Sequence, residues 1–120
     1  MKRNQRILIE KNFYEKLIKI NPNFTEVFLQ LSRIYDYLKE NKKILKIDEK
    51  IAELLPFDPI SYYNLACDYS QLGNLEKSLK NLKIAILLGF KNKKYIKKDP
   101  DLRNLRKSNK FKEIEKILKR

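Results

Sequence analysis

Residues 62–73 read Tyr62-Tyr63-Asn64-Leu65-Ala66-Cys67-Asp68-Tyr69-Ser70-Gln71-Leu72-Gly73. Tyr62, Leu65, Ala66, Tyr69 and Leu72 recur three and four residues apart, the spacing that gathers one apolar stripe on an α-helix. Gly73-Asn74 then stops the helix, because glycine adopts at little cost the positive φ that a helix C-terminus calls for. The stretch has a counterpart upstream. A shift of 34 residues places Phe28 on Tyr62, Leu31 on Leu65, Ser32 on Ala66, Tyr35 on Tyr69 and Ile51 on Ala85. The large residue of each pattern fills space between helices, and the small one lets a neighbouring helix approach closely.

Working outward, Ile7, Ile9, Phe13, Leu17 and Ile20 predict a first helix, ended by Asn21-Pro22 because proline disfavours helical geometry in the residue before it. Val27, Phe28, Leu31, Ile34, Tyr35 and Leu38 predict a second. Ile44, Ile47, Ile51, Leu54 and Leu55 predict a third, closed by Pro56 and Pro59. The quoted stretch is the fourth, and Leu75, Leu79, Leu82, Ala85 and Ile86 make a fifth, stopped by Gly89. Beyond it the period fails, since Asp99 stands one repeat after Leu65 and reads as a helix cap, with Pro100 at the first position, not as a packing residue. Ser108 is expected to cap a last helix over 109–119. Leu102, Leu105, Phe111, Ile114, Ile117 and Leu118 supply the apolar faces of this closing stretch.

A helix–turn–helix period of 34 residues resembles the tetratricopeptide repeat. Tyr62 to Tyr69 with Leu72-Gly73 is similar to the first helix and turn of that repeat, and Phe57-Asp58-Pro59 to the junction between repeats. Asn21-Pro22-Asn23 followed by Phe28, Leu31, Ser32 and Tyr35 resembles the start of another. Gly89-Phe90 and Asp99-Pro100-Asp101-Leu102 resemble the closing segment of bacterial tetratricopeptide proteins. The resemblance implies an all-α, right-handed antiparallel helix-pair solenoid with C-terminal capping helices. It is expected as one domain over 1–120, made of a half repeat (1–21), two repeats (24–57 and 58–91) and a basic cap (92–120). Lys39 falls where Gly73 falls one period later, so the first repeat's turn is expected to be built differently, with Asn41 at positive φ. Ser78 and Ile44 stand where these repeats usually carry alanine, which predicts looser packing there.

Composition removes most chemistry. The 120 residues carry 28 lysines and arginines against 15 acids, a formal charge of +13, and no histidine, only two glycines and one cysteine. Without histidine there is no Ser-His-Asp or Cys-His catalysis and almost no route to a catalytic zinc site. Two glycines cannot build a phosphate-cradling loop. The acid pairs Asp48–Glu49 and Glu113–Glu115 point apart on their helices, and Cys67 reads as a semi-buried filler. No enzyme, metal site or cofactor is expected. A lone cysteine excludes an internal disulfide and fits a reducing compartment, here the cytoplasm. The longest apolar run, Ile84 to Leu88, is far too short to span a bilayer, and no membrane partner is expected.

What remains is binding. The resemblance implies a concave groove lined by the first helices of the repeats. Matched by position, it would present Leu29, Arg33 and Tyr37 from the first repeat, with Glu26 and Asp36. Tyr63, Cys67 and Gln71 would come from the second, with Asn64 beside them and Ile60 and Ser70 on the same face. Tyr37 and Tyr63 suit a protein or peptide partner, since interfacial aromatics contribute most per residue. The alternative partner is RNA, DNA or another polyanion. Residues 91–120 hold 13 basic and 4 acidic side chains, and Lys91, Lys93, Lys94, Lys97 and Lys98 surround Tyr95. Against that, 22 of the 28 basic residues are lysine, the default solvated side chain of a Lys/Asn/Ile-rich composition. Finally, Ile7, Ile9 and Phe13 have no preceding helix to cover them, which points to a homodimer through the N-terminal helix.

Overall fold

The computed structural model describes residues 2–120. Among them there are helices and turns and no strand. The chain divides into two compact units, one ending at Leu54 and the other running from Leu55 to Arg120.

The first unit holds α1 (Arg3–Ile20), α2 (Thr25–Tyr37) and α3 (Asn41–Leu54). Its core is the α2 stripe Val27, Phe28, Leu31, Ile34 and Tyr35 against Ile44, Ile47 and Ile51 of α3, all buried. Ser32 does more than save space. Its hydroxyl donates to the carboxylate of Asp48 at 2.8 Å, and Asp48 is buried. α1 packs along α2 yet buries none of its own residues. Polar contacts attach it: the Tyr35 hydroxyl donates to Glu15, the Tyr37 hydroxyl to Asn4 at 3.2 Å, and Lys11 pairs with Glu40 at 3.6 Å.

The second unit holds α4 (Pro59–Gln71), α5 (Leu75–Leu87), α6 (Lys93–Lys98), a 3-10 turn (Pro100–Leu102), α7 (Arg103–Arg106) and α8 (Phe111–Leu118). Asp58 starts α4 by accepting the Ile60 N–H at 3.2 Å and the Ser61 hydroxyl at 3.0 Å, with Pro59 in the first turn. Asn74 and Asn92 cap α5 and α6 in the same way. α4 and α5 approach closely through Ala66, Ser78 and Ala85, which are wholly buried. The looser packing expected at Ser78 does not occur, because its hydroxyl donates to the Ala66 carbonyl at 2.7 Å and fills the gap itself. Ile44, its counterpart, is buried too. The closing segment covers the helix pair by joining its core: Ile96, Leu102, Leu105 and Ile114 have no accessible surface. Ser108 does not cap the last helix. Its hydroxyl turns back to the Leu105 carbonyl at 2.7 Å, and α8 begins at Phe111 behind Lys110.

The turn after α2 also corrects the expectation. Asn41 lies inside α3, and Lys39 itself takes the left-handed conformation, φ 58°. Its N–H donates to the Asp36 carbonyl at 3.1 Å and the Glu40 N–H to the Tyr35 carbonyl at 3.0 Å. Gly73, at φ 83°, makes the matching pair with Ser70 and Asn74 with Tyr69. Both turns therefore close the helix with the same two bonds. A lysine side chain in this conformation costs roughly 1–2 kcal/mol, partly offset by the extra unfolded-state freedom of glycine. Lys39→Gly is expected to stabilise the protein by about 1 kcal/mol, read as a raised midpoint in urea unfolding at unchanged slope.

Candidate functional site

The face of α4 that carries Tyr63, Cys67, Ser70 and Gln71 is filled by the chain's own closing segment. Tyr63 is 4% exposed and stacks on Phe90, ring centroids 4.2 Å apart and planes 6° apart. Its hydroxyl donates to Asp99 Oδ2 at 2.6 Å. The Cys67 thiol makes a longer contact with the same oxygen, 3.8 Å. Asp99 Oδ1 accepts the Asp101 N–H at 3.0 Å, so one buried carboxylate caps the 3-10 turn and holds α4 as well. Arg106 clamps the turn from below, donating to the carbonyls of Ile96 (3.0 Å) and Asp99 (2.6 Å). Further along α4, the Ser70 hydroxyl accepts the Leu105 N–H at 3.1 Å, and Asn104 donates to the Ser70 carbonyl at 2.9 Å. Gln71 donates to Asp101 Oδ1 at 3.0 Å. Asp99 is thus not only a cap but an interior hydrogen-bond centre, which corrects its reading as a residue unable to pack.

Burial pushes the Tyr63 hydroxyl above the ordinary tyrosine range, and the bond to Asp99 adds to the shift. Burial likewise raises the Cys67 thiol, helped by the charge of Asp99. Cys67, Asp99 and Asp101 offer a sulfur and carboxylate oxygens all within 4.8 Å of one another. Both oxygens of Asp99 already accept hydrogen bonds, Asp101 accepts from Gln71, and the thiol is held protonated. The cluster is built to hold hydrogens.

The groove residues named from sequence therefore separate. On α2, Leu29, Arg33 and Tyr37 share one exposed face at intervals of four residues, with Leu29 36% and Tyr37 46% accessible. The Arg3 guanidinium lies over the Tyr37 ring, 5.1 Å from its centroid. On α4, Tyr63 and Cys67 are buried instead of presented, Gln71 is exposed but tied to Asp101, and Asn64 is exposed. Helical spacing gives the core role to Tyr62 and the surface role to Tyr63, whereas Tyr62 is half-buried and donates to the Pro56 carbonyl. Lys91, Lys93, Lys94, Lys97 and Lys98 are all exposed, as is Tyr95. On α1, Ile9 and Phe13 are exposed and Ile7 is half-buried. Asp99, Arg106 and Ser70 form a hydrogen-bonded set that periodicity does not reveal.

Antiparallel helix pairs finished by a closing segment define a tetratricopeptide-like helical repeat protein. A solved structure, "MamA RS-1 ArsTM double mutant", of a tetratricopeptide-containing protein, aligns over 94% of this chain and 68% of its own with a TM-score of 0.65 at 21% identity, which shows the fold. Over 52 residues, 43% of its length, the chain is 42% identical to a chloroplastic protein of Arabidopsis thaliana. Over 44 residues it is 39% identical to the "Uncharacterized protein ycf37" of Pyropia yezoensis. These stretches span 16% and 25% of the two relatives. No protein-family model matches the chain.

Removing the Tyr63 hydroxyl leaves Asp99 buried with one strong donor fewer. Tyr63→Phe is expected to cost about 1–3 kcal/mol at neutral pH, measured by denaturant unfolding. The wild type should also lose stability in alkali. Unfolded, these groups ionise near 9.0 (Cys67) and 10.0 (Tyr63), while the folded state keeps both protons. Stability is therefore fully present below about pH 9 and falls above it, and Tyr63→Phe should flatten the part of that fall lying above pH 10.

Proposed function

We propose that this chain is a small, non-enzymatic adaptor that holds a protein or peptide segment against α2. The observation behind this reading is the exposed stripe Leu29, Arg33 and Tyr37. By the 34-residue shift these positions correspond to Tyr63, Cys67 and Gln71, the face that the closing segment fills. That face takes a turn bearing acidic side chains: Asp99 meets Tyr63 and Cys67, and Asp101 meets Gln71. On α2 an arginine replaces the cysteine, so the preferred partner segment offers a carboxylate to Arg33 and an apolar side chain to Leu29 and Tyr37.

The outer face of α1 is the place for a second copy, with Ile9 and Phe13 each more than half accessible. A monomeric mass at micromolar concentration would overturn that part. Among the described residues no helix is long and apolar enough to cross a membrane. The buried free thiol of Cys67 suits a reducing compartment. The cytoplasm meets that condition, and so does the chloroplast, for which the Arabidopsis relative is named.

Affinity capture with the full chain, with and without nuclease, tests the adaptor reading. A defined protein should survive nuclease and fall at least about tenfold with Leu29→Ala/Arg33→Glu. Release of everything bound by nuclease would overturn the reading in favour of a polyanion held by Lys91–Lys98.

A further inference from the structure

The end of the second unit where α4 begins and α5 stops carries apolar side chains that the fold does not use. Phe57 is 82% exposed, Ile60 51% and Leu87 84%. One 34-residue period earlier the same positions hold Asn23, Glu26 and Glu53, all exposed. A helix pair of the same design thus closes with polar groups at all three positions.

Cations gather at the same end. The chain leaves α5 through Gly89-Phe90, and the Phe90 ring, stacked on Tyr63, holds the next residues against the first turns of α4. Tyr95 stands 5.8 Å from Tyr63, ring to ring, and is 52% exposed. The five exposed lysines between 91 and 98 flank Tyr95 along the chain, and residues 87–98 contain no acid. The neighbouring carboxylates are occupied: Asp99 is buried under Tyr63, and Asp58 caps α4.

We propose that this end of the second unit rests on an anionic lipid surface, with Phe57, Ile60 and Leu87 entering the headgroup–acyl boundary and the lysines lying against lipid phosphates. This is contact with one face of a bilayer, and it is independent of what α2 binds. A nucleic acid would use the lysines but leave Leu87 and Ile60 in water, since aliphatic side chains offer no ring for a base to stack on. All five cations are lysine, a point charge that suits a fluid sheet of phosphates better than the fixed fork of arginine would. Tyr95 has the amphipathic ring favoured at a membrane–water interface.

Co-sedimentation of the full chain with vesicles tests the proposal, using phosphatidylcholine alone and phosphatidylcholine with about a third phosphatidylglycerol. The wild type should pellet with the anionic vesicles, less so as salt rises, and not with the neutral ones. Phe57→Asn/Leu87→Glu installs the residues that the first repeat carries and keeps every lysine; circular dichroism checks that it stays folded. It should lose about tenfold in partitioning. Failure of the wild type to bind anionic vesicles overturns the proposal. So does a double variant that binds them as the wild type does, because charge alone would then be acting. Tighter binding of a single-stranded RNA oligomer than of the vesicles, unchanged in the double variant, overturns it in favour of a nucleic acid.

Discussion

The carboxylate of Asp99 is inside the protein, and the second unit is organised around it. One oxygen starts the 3-10 turn, and the other accepts the Tyr63 hydroxyl from α4. A buried carboxylate without such donors would be costly, so the turn and the helix must be in place together. Once they are, Leu102 and Leu105 fall into the core, and Arg106 locks the carbonyls of the preceding turn. The face of α4 that a partner could otherwise use is consumed in the process. A helix pair at the end of an array needs something to cover it, and here the cover is bonded as specifically as a ligand.

The two repeats reach similar shapes by different chemistry. Where the second brings α4 and α5 together through Ala66 and Leu82, the first uses Ser32 hydrogen-bonded to a buried Asp48. Where the second turns at Gly73, the first forces Lys39 into the same conformation. Where the second carries Ser78 bonded to the Ala66 carbonyl, the first carries Ile44. Each substitution keeps the spacing between helices and changes what holds it. The polar solutions in the first unit are the less economical ones, since a buried carboxylate and a left-handed lysine both carry a penalty that Leu82 and Gly73 avoid.

Helix positions were legible because periodicity, capping residues and prolines act locally. Asn21-Pro22, Asp58-Pro59, Gly73 and Asp99-Pro100 each mark the boundary that their chemistry predicts. Lys39 was not, because the turn's two hydrogen bonds outweigh the propensity of a single residue. Ser108 illustrates the opposite failure: a good cap by type, it found a closer acceptor in the Leu105 carbonyl. The candidate site was half visible. The face Leu29, Arg33 and Tyr37 was named by matching positions to the repeat it resembles, and intervals of four residues keep the three on one side of α2. The fate of Tyr63 depends on Phe90 and Asp99, the latter 36 residues away, and the spacing within α4 points to Tyr62 as the inward ring instead. Two adjacent tyrosines on a helix point roughly 100° apart; which one goes inside is decided by whatever later covers that side.

α1 is tied to its unit by the Glu15, Asn4 and Lys11 contacts, by the Arg3 guanidinium over Tyr37 and by half-buried Ile7, Leu17 and Ile18, and it has no fully buried side chain. Its apolar side chains are at most half-buried, so α1 opens at lower free energy than the fully buried core of α2 and α3. α2 and α3 keep their own interlocked core when it leaves. The amide protons of α1 would therefore exchange with solvent well before those of α2, and a protease would find its first cut at the Asn21–Phe24 hinge. The N-terminal helix behaves as a detachable flap, and its departure would bare Tyr35 without unravelling the helix that carries it.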